Sequence, residues 1–246
     1  MRKLFKSMVL GLALSAAAGS ASASVIQALY LTMDGSGSID NTEFATQING
    51  YVGALNAVFA AAPTLYGDIA IGGGIFGRNF SQFFPVTAID DAADLALLTA
   101  AISGLNPGRG GIDTGATAIG DAVTASANAL LAYETSLGTD LRLTIDVTTD
   151  GANNFGSSPV TASENAITAG LNAVNCLGIG TGANCKFVTT AGSGTDFGIV
   201  NNFGDLQSAL TKKILTETGQ IPEPSVMALL GIGLLGFAGL RRGQRA

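Results

Sequence analysis

The stretch Met33-Asp34-Gly35-Ser36-Gly37-Ser38-Ile39-Asp40, "MDGSGSID", decides how the rest of the chain is read. Glycine alternating with serine usually makes a flexible turn. This segment, however, follows the apolar run "VIQALYLTM" directly and opens a helical pattern. One aspartate and two hydroxyls therefore stand at the carboxyl end of a buried strand, over about residues 26–33. Asp40 followed by Glu43 has the spacing of an N-cap and its capping-box partner, so those carboxylates belong to a helix start rather than to a reaction. Phe44, Ile48, Val52, Leu55 and Phe59 recur at three- and four-residue steps and predict that helix over residues 40–61.

Further along the chain, "GDIAIGGGIFG" (67–77) and "SQFFPVT" (81–87) read as paired strands around a turn at Arg78-Asn79. A helix over 91–103, a glycine-rich loop "NPGRGGIDTGAT" (106–117) and a helix over 118–135 follow. "LRLTIDVTTD" (141–150) has the continuous apolar character of a central strand and ends in the loop "DGANNFGSSP". A helix over 160–169, a strand over 171–179, a short strand "KFVTT" (186–190) and a last helix over 203–218 complete the series. Strands alternating with helices predict an α/β domain, a doubly wound and mostly parallel central sheet flanked by helices. No internal repeat is evident. "GGGIFG" matches a phosphate loop only in glycine count, lacks the following Lys-Ser/Thr, and reads better as a strand with close-packed neighbours. Asp90, Asp91 and Asp94 sit where they favour a helix N-terminus, and Lys212 and Lys213 read as solvated.

The chain has 246 residues, 47% hydrophobic and 12% charged, enough for one sizeable core once both ends are set aside. Residues 1–23 carry Arg2, Lys3 and Lys6, then an apolar segment, then small residues before a cleavage point after Ala23, the order of a secretory signal peptide. At the other end, the sixteen uncharged residues 225–240 would span about 24 Å as a helix, and Arg241, Arg242 and Arg245 form a basic stop. Between these ends lie six Lys/Arg against seventeen Asp/Glu, a net charge near −11 that argues against nucleic acid as a partner. Histidine is absent, which removes Ser-His-Asp and Cys-His nucleophile systems and imidazole zinc sites. In an oxidising compartment Cys176 and Cys185 can close a short disulfide loop; the alternative is two buried thiols.

Three loops leave the carboxyl ends of strands with oxygen-bearing residues: Asp34/Ser36/Ser38, Thr117 and Asp150. Two carboxylates and three hydroxyls suit a hard cation such as Mg²⁺, with Mn²⁺ or Ca²⁺ as alternatives. Neutral hydroxyls leave such an ion short of negative charge, so an open coordination position could attract a carboxylate from a partner.

Asp34-Gly35-Ser36-Gly37-Ser38 resembles the D-x-S-x-S signature of von Willebrand factor A (VWA) domains and their metal-ion-dependent adhesion site (MIDAS). Thr117-Ala118-Ile119-Gly120-Asp121-Ala122-Val123 resembles the second element of that site, with Thr114 in reserve, and Asp150-Gly151 the third. "LTIDVTTDGANN" and "FGDLQSALTKKILTET" are similar to DUF1194, a bacterial VWA-like family of unknown function, and "GRGGIDTGAT" departs from the usual approach to the threonine. The order Pro222-Glu223-Pro224, apolar helix, arginine cluster resembles the PEP-CTERM sorting signal of Gram-negative bacteria.

These resemblances imply three segments: signal peptide 1–23, VWA-like domain 24–219, and sorting segment with transmembrane helix 220–246. They further imply inner-membrane anchoring, processing by an exosortase-type enzyme, and delivery to the cell surface or matrix. The expected activity is metal-dependent binding of an acidic group on a protein or polysaccharide. A metal-assisted hydrolase using Asp34 is the alternative, for which the loops offer only Asp113, Asp121 and Arg109, without diagnostic spacing. A passive structural role at the cell surface is the third.

Overall fold

In the computed structural model, which describes residues 24–220, the apolar run before "GSGS" forms β1 (Gln27–Asp34), buried along its whole length. Burial on both faces is what a continuous apolar strand implies. α1 (Asn41–Ala61) follows. The Asp40 carboxylate accepts the Thr42 and Glu43 amides at 2.7 and 2.8 Å, and Glu43 Oε2 accepts the Asp40 amide at 2.9 Å, a complete capping box.

β2 (Ile69–Phe76) lies parallel to β1, and β3 (Phe80–Ala88) returns antiparallel to it through the turn at Arg78-Asn79. The glycines of β2 make room for aromatic rings: a Cβ on Gly73 or Gly74 would collide with Phe83 or Phe80. Next come α2 (Ala92–Ser103), capped by Asp91, α3 (Ile119–Leu137), β4 (Arg142–Thr149), α4 (Pro159–Ala169) and β5 (Ala173–Ile179). α5 (Lys186–Thr190), β6 (Asp196–Val200) and α6 (Leu206–Glu217) complete the order.

The six strands lie in the order β3-β2-β1-β4-β5-β6, parallel except for β3. α1, α2 and α6 bury their apolar residues against one face, and α3, α4 and α5 against the other. The chain runs from β1 outward to β3 and then crosses back to β4, so strand order reverses between β1 and β4. In parallel sheets the loops diverge at such a point and leave a crevice beyond the carboxyl ends of the two strands. Asp34 and Asp150 stand at that crevice.

Three expectations need correction. "KFVTT" (186–190) is α5, not a strand; five residues are too few to show a period, and the turn begins where Asn184 Oδ1 accepts the Lys186 amide. The sixth strand is instead Asp196–Val200, a half-exposed edge broken by Gly198 at φ 83°, which hides its strand pattern. Lys213 is not solvated. It falls on the α6 face that carries Leu206, Leu210 and Ile214, and sits 1% exposed against two carboxylates: Asp146 of β4 at 2.5 Å and Glu217 at 2.6 Å. Lys212 is exposed.

Cys176 of β5 and Cys185 before α5 are joined by a disulfide. The segment 1–23, the sorting residues Pro222, Glu223 and Pro224, and the apolar tail lie outside the described residues. Among the described residues no helix is long and apolar enough to cross a membrane.

Candidate metal centre

The first loop is built inward from Asp34, which is fully buried. Its Oδ1 accepts the Ser36 amide at 2.8 Å and its Oδ2 accepts the Thr149 hydroxyl at 2.6 Å, while its carbonyl accepts Gln47 Nε2 of α1 at 2.8 Å. Asp34 is thus held by β4 and α1 as well as by its own loop. Beyond it, Ser36 Oγ lies 3.1 Å from Ser38 Oγ, and Ser38 Oγ donates to Asp150 Oδ1 at 2.7 Å. Two hydroxyls from the end of β1 and one carboxylate from the end of β4 form an unbroken oxygen chain.

The second loop is docked onto the first by the Gly37 amide, which donates to the Thr114 carbonyl at 2.8 Å. A Cβ on Gly37 would come within 3.0 Å of that carbonyl oxygen, so close approach of two backbones explains this glycine. Thr117 is 4% exposed and lines the same cleft as Ser36, Ser38, Thr114 and Gly151. Its amide donates to Asn154 Oδ1 at 2.8 Å and its carbonyl accepts the Asn154 amide at 3.0 Å, which ties the second loop to the third. The third loop is also pinned to α3: Asp121 accepts the amide and hydroxyl of Ser157.

Burial pushes the Asp34 carboxyl up to about 6, against hydrogen bonds from Ser36 and Thr149 that favour its charge, with the Asp150 charge pushing further upward. Burial also raises Asp150, opposed by the Ser38 hydrogen bond and supported by the Glu43 charge. Each of these carboxylates also has a like charge near it, Asp150 beside Asp34 and Glu43 beside Asp150, which a cation in the crevice would offset. Among the described residues no group of three or more His, Cys, Asp or Glu side chains lies together. A cation here would therefore depend on hydroxyls as well as carboxylates, and the donor set, all oxygen, fits a hard divalent ion.

The five residues Asp34, Ser36, Ser38, Thr117 and Asp150 thus converge on one crevice. The charged loop residues considered for hydrolysis are engaged elsewhere. Asp113 pairs with Arg78 at 3.3 Å on an exposed rim where Arg78 stacks over Phe155, Asp121 holds Ser157, and Arg109 is buried under the first loop. Sequence reasoning missed Thr149, Gln47 and Asn154, and considered Arg109 only as a charged residue for hydrolysis, not as a support of the first loop. Thr149 and Asn154 flank Asp150 in "TTDGANN", and their polar side chains beside a carboxylate were an available signal; Gln47 and Arg109 had none.

Below the centre, β4 carries a second polar group. Lys213 Nζ meets Asp146 as an ion contact off the angles of a hydrogen bond, and Glu217 Oε1 accepts both Lys213 and Asn175 Nδ2. Burial raises the Glu217 carboxyl to about 8, with the Asp146 charge pushing the same way and Lys213 opposing.

Solved structures place this architecture among VWA domains. The proximal thread matrix protein 1 of the mussel byssus superposes with TM-score 0.61 at 21% identity over 78% of this chain and 48% of its own. A form of that mussel protein has a zinc-occupied MIDAS motif, with TM-score 0.62 at 18% identity over 80% of this chain and 49% of its own. A von Willebrand factor type A protein from Catenulispora acidiphila gives 0.59 at 17% identity, over 79% of this chain and 43% of its own. The chain therefore spans about half the length of these neighbours, and the likeness is one of fold. By sequence, no curated protein matches. Residues 220–242 match the PEP-CTERM protein-sorting motif. Residues 24–222 match the family described as "Protein of unknown function (DUF1194)", and the chain belongs to that VWA-like family.

Proposed function

We propose that the chain is an exported binding protein whose crevice holds a divalent cation, Mg²⁺ in the first instance and Mn²⁺ or Ca²⁺ as alternatives. Ser36, Ser38, Thr117 and Asp150 would hold the ion, with Asp34 as the buried carboxylate of the set. The supporting observation is the oxygen chain from Ser36 through Ser38 to Asp150, at 3.1 and 2.7 Å, assembled from opposite sides of the strand-order reversal. When bound, the ion would supply a positive centre able to attract an acidic oxygen of a partner. The domain's own residues do the rest: Thr149 and the Ser36 amide fix the Asp34 carboxylate, and Asn154 fixes Thr117. The zinc-occupied motif of the mussel neighbour lends support at the level of fold.

The partner is an acidic group on a protein or a polysaccharide. Segment 1–23 directs export, 24–219 is the binding domain, and 220–246 is the sorting segment that an exosortase-type enzyme processes at Pro222-Glu223-Pro224 after inner-membrane anchoring. Destination in this reading is the Gram-negative cell surface or matrix. The chain just after α6 lies near Arg142, the first residue of β4, at the end of the sheet opposite the crevice. Binding rather than hydrolysis is supported by the engagement of Asp113, Asp121 and Arg109 in holding loops.

A calorimetric titration of the purified chain with Mg²⁺ and Mn²⁺ tests the reading. Saturable binding that Asp150→Ala abolishes supports it, and absence of saturable binding by the wild type removes it.

A further inference from the structure

We infer that Arg109 is a positioning residue for the metal loop: its buried guanidinium fixes the backbone of residues 35–39 so that the Ser36 and Ser38 hydroxyls stand side by side. This rests on the metal-binding reading above and adds to it a residue from a loop outside the D-x-S-x-S motif.

Arg109 Nη1 donates to the carbonyls of Gly35 and Ser36, both at 2.9 Å, and Nη2 donates to the carbonyl of Ile39 at 2.6 Å. The guanidinium also stacks over the Phe44 ring at 4.6 Å, and Phe44 is anchored in the core by α1. Each accepting carbonyl fixes the peptide plane that follows it. Those planes lie on both sides of Ser36 and just beyond Ser38, so the hydroxyl-bearing residues hang between restrained points. Such restraint is needed here: Gly35 and Gly37 leave this stretch wide conformational freedom, and its carbonyls lie outside the sheet ladder that would otherwise satisfy them.

The loop that supplies Arg109 is shaped to deliver it. Arg109 holds φ 49°, a left-handed conformation unusual for a residue with a side chain, and Gly110 and Gly111 continue it at φ 60° and 74°. Such a residue persists where its surroundings compensate the strain, and here the guanidinium bonds do so. A planar fork suits three carbonyls in one shell; a lysine ammonium, a point donor on a flexible stem, does not reproduce it. The glycine-rich "GRGG" thereby acquires a purpose: it turns an arginine inward beneath the metal loop. Arg109 faces the carbonyl side of that loop and is not a ligand.

The test uses the full chain purified in mild detergent, with Mn²⁺ as the probe. Affinity is read from the free Mn²⁺ paramagnetic resonance signal, and site geometry from the spectrum of the bound ion. Arg109→Lys and Arg109→Ala are compared with Leu98→Ala, a variant that lowers stability in the core of α2, outside the loop. Removing an outer-shell support typically weakens a metal site about 10- to 100-fold. Both Arg109 variants should show a loss in that range with an altered bound-ion spectrum, methylguanidine should restore affinity to Arg109→Ala, and Leu98→Ala should keep wild-type affinity. Should Arg109→Ala not fold, Arg109→Lys decides alone. Wild-type affinity and spectrum in the Arg109 variants would overturn this inference and leave the metal site standing. The same holds for a loss that Leu98→Ala shares and methylguanidine does not repair. No saturable binding by the wild type would remove the metal site and this inference together.

Discussion

Thr149 donates its hydroxyl to Asp34 across the β1–β4 boundary at 2.6 Å, so the carboxylate that opens the first loop is oriented by a residue 115 positions later in the chain. Thr149→Val removes that donor and leaves Asp34 Oδ2 buried without it. The expected stability loss is about 1–3 kcal/mol, read from urea unfolding, and Mg²⁺ affinity should fall about 10- to 100-fold. An unchanged affinity would show that Asp34 does not need this orientation.

Metal and protons should compete at Asp34. In the metal-free folded chain its carboxyl is raised from the ordinary 3.8 to about 6. Between those values the folded state binds more protons than the unfolded state, so this group's contribution to metal-free stability declines as pH rises through that window. A cation needs the ionised form. The rise in melting temperature caused by saturating Mg²⁺ should therefore be larger at pH 7.5 than at pH 5; an increment independent of pH would contradict the assignment.

Lys213 lies between two buried acidic side chains, Asp146 and Glu217, and removing it should be costly. Lys213→Met leaves Asp146 and Glu217 facing each other without a cation, a loss of about 3–5 kcal/mol. Adding Asp146→Asn and Glu217→Gln should recover most of it. Glu217 also carries a pH signature: its carboxyl is raised from 4.5 to about 8, so stability from this group is lost as pH rises through that interval. Urea midpoints should drop between pH 6 and pH 9 in the wild type and drop less in Glu217→Gln.

The disulfide closes a short loop between β5 and α5. Cys176→Ala/Cys185→Ala should lower stability by about 2–3 kcal/mol in the chain-entropy account. Mg²⁺ affinity should be unaffected, because neither cysteine lies in the crevice.

Much of this molecule is legible in its amino-acid sequence, and the reason differs by part. β1, β2 and β4 are buried on both faces and read as apolar runs, and α1 is long enough to display its period and its capping box. The five crevice residues come from loops whose spacing along the chain is short, so their motifs survive in the sequence. What stayed hidden depends on tertiary placement. β6 is a five-residue edge interrupted by glycine, α5 is shorter than two turns, and the polarity of Lys213 suggested solvent where packing of α6 placed it inside. Arg109 was visible only as an unexplained charge in a glycine-rich loop, because its partners are backbone carbonyls about 70 residues away, which carry no side-chain signature.

The proposed cation site draws its hydroxyls and carboxylates from three loops, and calorimetric titration of Mg²⁺ into the wild type, Ser38→Ala and Asp150→Ala is its sharpest test. One saturable site in the wild type, weakened in Ser38→Ala and lost in Asp150→Ala while both variants keep their fold by circular dichroism, is the predicted result. No saturable binding in the wild type, or binding that survives Asp150→Ala unchanged, would contradict it.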